Sequence, residues 1–244
     1  MSDERSGTFL GGVALAVGLV IASAVGGWAF VKGKRGDQTI TVTGSARKRI
    51  KSDLVIWRAG VSYQAPALAE AYRALSESVP RVKSYLMSKG IPENQITISS
   101  ISSQTLHSKT GDGQESAEIS GYSLRQELEV RSTEVDKIAQ IARQATELIN
   151  QGILIESQAP EYHYTKLGDL KIEMLAEAAK DAKVRAEQIA KSTGSSIGSV
   201  RAARMGVLQI TPADSSEVSD SGMNDTSSLD KDITAVVNVG FAVD

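Results

Sequence analysis

Cysteine is absent from this sequence, and histidine, the side chain most often used in catalysis and metal binding, is scarce. Without cysteine the chain has no disulfide, no thiolate nucleophile and no cysteine metal site. Only His107 and His163 occur, and neither stands in a metal-binding spacing such as H-E-x-x-H. The sequence therefore predicts no metal site, and we interpret both histidines as ordinary residues near the ends of strands.

A strong charge of either sign is also missing. The 27 Lys and Arg residues against 29 Asp and Glu residues give a net charge of -2, which provides no basic field to gather nucleic acid. The glycines of Lys109–Gly113 stand in an expected hairpin tip, whereas a phosphate loop needs a helix behind it. We therefore predict no catalytic residue, no cofactor site and no nucleic-acid partner, and expect a protein that is not an enzyme.

What the sequence does contain is one long apolar segment near its start. Phe9–Val31 carries no charge across 23 positions, and as a helix it would extend about 34 Å, enough for a bilayer core of ~30 Å. We predict a short tail at 1–8, a transmembrane anchor at 9–31, a linker at 32–37 and a folded domain at 38–244. The alternative is a signal peptide cleaved near Ala22-Ser23-Ala24.

The side of the membrane is open at this point. Lys32, Lys34 and Arg35 follow the apolar segment, while only Arg5 precedes it. The positive-inside rule would then leave the large domain in the cytoplasm.

From Gln38 onward the chain alternates short β-branched runs with helical patterns, in the order ββαββαβαββ. This order predicts an α+β fold with ferredoxin-like split βαβ units and a mostly antiparallel sheet. The predicted strands are Gln38–Ser45, Asp53–Gln64, Gln95–His107, Ile119–Arg131, Ile153–Tyr164, Ser199–Ile210 and Lys231–Val243, and the predicted helices are Ala67–Lys89, Thr133–Gly152 and Asp169–Thr193.

The three helices each show one apolar stripe. In the first we expect Pro80 to cause a kink or divide it into two helices, and at the start of the second we expect Thr133 and Asp136 to form a cap. The predicted buried positions are Leu68, Tyr72, Leu75, Val79, Val82 and Leu86 in the first helix, Val135, Ile138, Ala142, Ala145 and Ile149 in the second, and Ile172, Leu175, Ala179, Ala182, Ala186 and Ile189 in the third.

Two polar segments are candidates for binding. Gly44–Ser52 is expected to be a hairpin, and its residues Arg47, Lys48, Arg49 and Lys51 are either a site for anionic lipid or phosphate or a solvated turn. Thr211–Asp230 is rich in Ser and Asp and predicts a mobile loop, whose acidic residues do not have the spacing of an EF-hand.

The soluble part resembles the SIMPL-domain family, a domain of unknown function that includes bacterial periplasmic immunogenic antigens. The resemblance covers about Thr39–Val243. It rests on ITVTGSA at 40–46, Asp53, the A-x-x-E-A-Y helix at 67–72, KGI-x-x-x-QITISS at 89–100, GYSLRQELEVR at 121–131 and AEAAKDAKVRAEQIAKSTG at 176–194. It implies an α+β domain, export from the cytoplasm, assembly into rings or larger oligomers, and a link to envelope stress.

Three functional hypotheses follow. The first is a scaffold of identical subunits, held in the inner membrane by residues 9–31 with its large domain in the periplasm, in which sheet edges or an open sheet face pair between subunits. The second is an envelope module that binds a peptide, lipid or protein in a cleft beside Thr211–Asp230. The third is an enzyme, for which His107 and His163 would be the acid–base residues.

Overall fold

The computed structural model of the chain describes residues 17–28 and 38–243. Residues 17–28 form a helix with exposed side chains, and the remainder of the predicted 9–31 span lies outside the described residues. Within the described ranges, no helix combines the length and apolar character needed to cross a membrane.

The α+β class is confirmed. The strands are β1 (Thr39–Lys51), β2 (Leu54–Ala65), β3 (Ile96–Ile98), β4 (Ser102–Lys109), β5 (Glu115–Ser132), β6 (Ile155–Ser157), β7 (Glu161–His163), β8 (Ile197–Met205), β9 (Gln209–Pro212), β10 (Met223–Asn224) and β11 (Asp230–Val243). The helices are α1 (Leu68–Ser88), α2 (Val135–Gln144) and α3 (Leu167–Ser192), with 3-10 turns at Glu93–Gln95 and Ala145–Gln151.

The chain divides into two compact units. One contains residues 47–171 and 208–234, and the other contains the described residues up to 46, residues 172–207 and residues 235–243. The first unit is built on a six-stranded sheet in the order β3-β5-β2-β6, with β4 added to β5 and β7 added to β2. All of these neighbours run antiparallel.

Helices α1 and α2 cover one face of this sheet. Trp57 and Leu128 in the central strands are completely buried, as is Leu75 of α1. The indole nitrogen of Trp57 donates to the Ser157 hydroxyl at 3.1 Å, and that hydroxyl donates to the Ala142 carbonyl of α2 at 2.8 Å. This relay satisfies the polar atom of the largest core side chain, as burial requires.

Helix α1 is one continuous helix through Pro80, so of the two expected alternatives, a kink or a division into two helices, the division is wrong. The helix ends at Ser88, just before the predicted stop at Gly90, whose φ of +82° is the left-handed conformation that glycine adopts most easily. Leu75, Val79, Val82 and Leu86 are buried as expected, but Leu68 and Tyr72 are exposed. Near the start of the helix, Ala71 is buried in place of Leu68 and Tyr72, because Ala71 lies on the helix face that packs against the sheet.

The second unit pairs β8 with the end of β11 and places α3 against β1. A Cβ atom at Gly44 would collide with the Ala178 carbonyl and with Ala182, so helix and strand backbones touch there. Ala182 and Ala186 are buried as predicted, but this contact explains why other predicted positions of α3 are wrong. Small side chains fit against the strand, whereas Ile172 and Ile189 are exposed. The buried positions are Leu170, Met174, Ala178, Ala182, Ala186 and Ala190.

Several predicted segments are corrected in detail. Gly44–Ser52 is not a hairpin, because β1 continues to Lys51 in a different sheet from β2. The predicted strand at 153–164 breaks before Pro160, which lacks an amide donor. The predicted strand at 199–210 breaks at Gly206, and the predicted strand at 95–107 breaks at residues 99–101. Residues 213–229 lie outside regular secondary structure apart from β10, which pairs with β9, and Leu229 packs on the core; the mobility expected of this loop stays a prediction. The cap expected from Thr133 and Asp136 is wrong, because the N-cap residue of α2 is Glu134 and no side chain caps it.

Candidate functional site

A long β-hairpin extends beyond the helix-covered part of the six-stranded sheet. It consists of β4 and the first part of β5, Ser102–Gly121, and we call it the β-ribbon. In the register, Leu106 lies opposite Gly121 and His107 lies opposite Ile119, with bulges on either side of His107. Most of its side chains are exposed, including Ile119 at 51%.

The β-ribbon has little internal support. Residues 115–121 pair only with β4, and within the described part of the chain β4 has no second neighbour. Its outer edge therefore offers unpaired backbone donors and acceptors, which is the arrangement that lets strands of separate chains pair. A two-stranded hairpin is marginally stable in water, so pairing with another chain would stabilise it.

The uncovered face of the six-stranded sheet is charged rather than apolar. Arg58 donates to Glu129 at 2.9 Å and to Glu161 at 2.7 Å. Arg125 lies across Gly60, where a Cβ atom would collide with its guanidinium, and pairs with Glu127 and Glu156. This ladder of ion pairs is already satisfied within the chain, so the face is poorly suited to apolar packing against another sheet.

A cavity of about 120 Å³ lies beside the 211–230 segment. Tyr162, His163 and Tyr164 form an aromatic wall, and Leu167 and Ile210 add an apolar side. Asn224, Asp225 and Lys231 complete the lining. The cavity has room for a few water molecules or one small chemical group, well below the ~300–1,000 Å³ of most drug-sized sites.

Lys231 and Asp225 form a buried ion pair at this cavity. Their side chains are 2% and 8% exposed, and the Lys231 ammonium lies 3.3 Å from Asp225 Oδ2. The same ammonium also donates to the Asp225 carbonyl oxygen. Each charge compensates the other in a place where either alone would be costly.

The electrostatics of the pair follow from burial and from its hydrogen bonds. Burial would raise the pKa of Asp225, but hydrogen bonds from Ser227 and Ser228, together with the charge of Lys231, outweigh it and lower that pKa to about 2. Burial lowers the pKa of Lys231, and the attraction of Asp225 offsets only part of this effect. Asp225 is therefore ionised at neutral pH.

A second buried carboxylate, Asp232, holds the basic end of β1. It accepts from Arg49 Nε at 3.0 Å, from Arg47 at 2.5 Å and from the Asp214 amide at 2.9 Å. The hydrogen bond from Arg49 drives the pKa of Asp232 well below its usual range, although burial opposes this. Two of the four basic residues that were candidates either for a lipid or phosphate site or for a solvated turn, Arg47 and Arg49, are thus paired with a carboxylate of the same chain.

The structure keeps the two histidines apart. His107 lies opposite Ile119 in the β-ribbon, whereas His163 lies opposite Leu54, beyond the end of β5. The thirteen positions from Ile119 to Ser132 on β5 correspond to roughly 40 Å at ~3.3 Å per residue. His163 Nε2 lies 3.4 Å from Glu161 and lines the cavity. One chain cannot combine both histidines in a single site.

The serine motif G-x-S-x-G is present at Gly194–Gly198, and the sequence prediction overlooked it. A nucleophile elbow requires a strand before the serine and a helix after it. Here α3 precedes the motif and β8 follows it, so the order is reversed. The motif therefore lacks the context of a nucleophile elbow. Among the residues that the structure describes, no three His, Asp or Glu side chains come together as metal ligands would.

The sequence prediction also missed Lys231, Asp225 and Asp232. A signal for two of them exists, since Lys231 and Asp232 stand directly before the apolar run ITAVV in one strand. Charged residues at the start of a buried strand are buried when a partner is available. The partner Asp225 lies in a segment whose composition predicted a loop, so the pair could not be assigned from spacing.

Comparison with known proteins places these features in a family. One solved structure similar to part of the chain is described as a candidate aminohydrolase from methicillin-resistant Staphylococcus aureus. The match has 12% identity and a TM-score of 0.25, and it covers 56% of this chain and 36% of that one. No curated protein sequence matches the chain. The model of the SIMPL family, described as a protein of unknown function (DUF541), matches residues 40–241. Because that match spans most of the sequence, the chain belongs to the SIMPL family.

Proposed function

We propose that this protein is a membrane-tethered, extracytoplasmic scaffold that assembles from identical subunits through its β-ribbon, as a ring or cage. The observation that carries the proposal is the exposed β-ribbon with its unpaired outer edge. Backbone pairing between two such edges satisfies donors and acceptors on both chains. Residues 115–121 of β5 have a second unpaired edge on the side opposite β4, so the β4 edge of one subunit can also pair with that edge of the next, and such head-to-tail pairing around an axis gives a closed ring.

The charge distribution favours edge pairing over stacking of sheet faces. The face that carries Arg58 and Arg125 has its charges paired internally. Burying these pairs under another subunit would add a desolvation cost without a new partner for either arginine. Among the described residues the β-ribbon contains no ion pair that assembly would bury, and its exposed Ile119 gains from burial.

The proposed membrane anchor is supported by the apolar segment 9–31, and the proposed location outside the cytoplasm is supported by the family resemblance. The 23 uncharged positions are long enough for a single span, and the resemblance favours export of the large domain. We propose a non-catalytic role because the best-formed polar pair at a cavity, Lys231 and Asp225, is bonded to itself. A catalytic pair needs at least one group directed at a reacting atom.

The test of assembly measures the mass of the full-length protein in mild detergent by size-exclusion chromatography with light scattering. The wild type is expected to run as a defined oligomer. A charge on the ribbon should block edge pairing, so Ile119→Lys and Gln104→Lys are expected to shift the protein to monomer. Val218→Lys is the matched control, because Val218 is 81% exposed and lies outside the β-ribbon. A wild-type monomer at about 10 μM, or unchanged mass in both ribbon variants, would refute the proposal.

A second candidate function is the binding of a small group in the Lys231 cavity. The observation that favours it is the aromatic wall of Tyr162, His163 and Tyr164 around a buried ion pair. Aromatic side chains with a few polar groups are the usual lining of ligand sites. A screen of a fragment library for compounds that raise the melting temperature of the wild type tests this candidate. Tyr164→Ala should abolish the rise that such a compound produces. A library in which no compound raises the melting temperature would refute the candidate.

A further inference from the structure

The second unit has an open sheet edge at β8. This strand pairs with β11 along one side, and within residues 17–28 and 38–243 no strand pairs with its other side. Most of its side chains are exposed, with Val200 at 56% and Met205 at 64%. An exposed edge of this length has unpaired backbone donors and acceptors, which an extended strand of another chain can complete.

The open edge of β8 is positively charged. Arg201 and Arg204 are the only charged residues of the strand, and neither forms an ion pair with a described residue. Two copies of β8 paired antiparallel near their centres would bring these like charges together, which disfavours pairing of β8 with itself. The edge therefore favours a partner strand with negative side chains.

The β-ribbon contains such a strand. Residues 115–121 of β5 (ESAEISG) pair only with β4, so their other edge is open among the described residues. Glu115 and Glu118 are the charged residues of this segment, and both are exposed and without an ion pair to a described residue. The two glutamates stand three positions apart, as do Arg201 and Arg204. The two open edges thus have opposite charges at the same spacing.

An antiparallel register places each glutamate opposite an arginine and also places two exposed apolar residues opposite each other. The facing pairs in this register are Glu115 with Arg204, Glu118 with Arg201, and Ile119 with Val200. Opposite charges and apolar side chains that face each other across two strands stabilise a sheet. The outer edge of β4 has no acidic residue, so it offers no such match to β8.

Both strands are irregular at the same facing pair. Arg201 is the extra residue of a bulge, because Val200 and Ala202 lie opposite consecutive residues of β11. In the β-ribbon, residues 116–118 stand opposite Ser108 alone. A bulge increases the local twist of a strand, so the twist of both edges changes at the same point.

We propose that the 115–121 edge of one subunit pairs antiparallel with β8 of a neighbouring subunit. The inference rests on the proposed assembly and names the partner strand of this ribbon edge, which is β8 instead of β4. The β4 edges then pair with each other. Because the two surfaces of the β8 contact differ, that contact is head-to-tail and can close around an axis. A two-stranded ribbon is marginally stable alone, so the two contacts stabilise each other.

The absence of cysteine lets single cysteines test the register directly. Full-length Val200→Cys and Ile119→Cys, one of them carrying a mass tag, are mixed in mild detergent, allowed to exchange subunits and oxidised. The expected product is a disulfide-linked dimer with one chain of each variant, because facing residues on neighbouring strands have Cα atoms within ~5.5 Å. Val218→Cys replaces Val200→Cys in the control, since Val218 is 81% exposed and lies outside β8, and it should give no mixed dimer.

Charge reversal tests the ion pairs and the strand direction. Arg204→Glu would face Glu115 of the neighbour, so the protein concentration at half assembly should rise at least about fivefold. Adding Glu115→Arg to the same chain should restore assembly, whereas adding Glu118→Arg should not. A merely structural role of Arg204 would not give rescue at one position only.

The outcomes separate this contact from the assembly itself. An oligomeric wild type without mixed dimers would remove the β8 contact and leave the assembly standing. Linked dimers of Val200→Cys with itself would show that β8 pairs with β8, and rescue by Glu118→Arg instead of Glu115→Arg would show a parallel register; either result overturns the proposal. A monomeric wild type refutes the assembly and this contact together.

Discussion

Lys231 and Asp225 are charged side chains that leave water together when the chain folds. Their pairing makes stability depend on pH in a defined window. The pKa of Asp225 is about 2 in the folded chain, and an unfolded aspartate has a pKa of ~3.9. A lowered folded pKa gives stability that is complete above the unfolded value and is lost as the pH falls toward 2.

The expected loss attributable to Asp225 between pH 5 and pH 2.5 is about 1–2 kcal/mol. Urea unfolding at both pH values measures it, and Asp225→Asn provides the comparison because asparagine does not titrate. The variant is less stable at both pH values, since it leaves the Lys231 ammonium uncompensated, so only the change with pH is compared. An equal change with pH in wild type and variant would contradict the assigned pKa.

Gly44 tests the close contact between β1 and α3 with the addition of a single methyl group. In Gly44→Ala the new Cβ would meet backbone atoms of Ala178 and Ala182, which cannot rotate away. We expect a loss of about 1–3 kcal/mol or more in the free energy of unfolding. Gly111→Ala is the matched control, because a Cβ at Gly111 meets nothing within 4 Å and should change stability by less than about 0.5 kcal/mol.

At the scale of elements, periodicity in the sequence predicts which segments are helices better than which side of a helix is buried. The spacing of α3 favoured Ile172 and Ile189, yet the buried face belongs to alanines because the strand backbone at Gly44 comes so close. That distance depends on a residue more than 130 positions away in the sequence. The same limit applies to the sites, since Asp225 and Asp232 gain their significance only from partners that the fold brings beside them.

The β-ribbon should show its role in amide hydrogen exchange. In a monomeric Ile119→Lys variant, the amides of β4 and of residues 115–121 are expected to exchange quickly, because only one weak ladder protects them. In the assembled wild type the outer-edge amides of β4 should be protected by the neighbouring subunit. Amides of β2, between β5 and the short strands β6 and β7, should exchange slowly in both samples. Fast exchange of β4 in the assembled protein would contradict pairing through this edge.

At the scale of the whole molecule, we predict that the apolar segment 9–31 and the β-ribbon make separable contributions to the proposed assembly. The SIMPL match begins at residue 40, so the folded part can be compared with and without the apolar segment. Confinement to a membrane raises the local concentration of subunits and favours association without adding a contact. Residues 38–244 should therefore form the same oligomer as the full chain but dissociate at a higher protein concentration.

Mass photometry and light scattering over a dilution series measure this difference, and membrane fractionation of cells shows whether the full chain, unlike the shortened one, sediments with lipid. Ile119→Lys in the shortened chain should abolish the residual association, because that variant lacks both the apolar segment and a β-ribbon edge able to pair. A shortened chain that is monomeric at every concentration would mean that the apolar segments, rather than the β-ribbons, hold the assembly together. The ribbon edge would then have to be occupied by a partner of another kind, since an exposed strand of this length is a surface that proteins rarely leave unpaired.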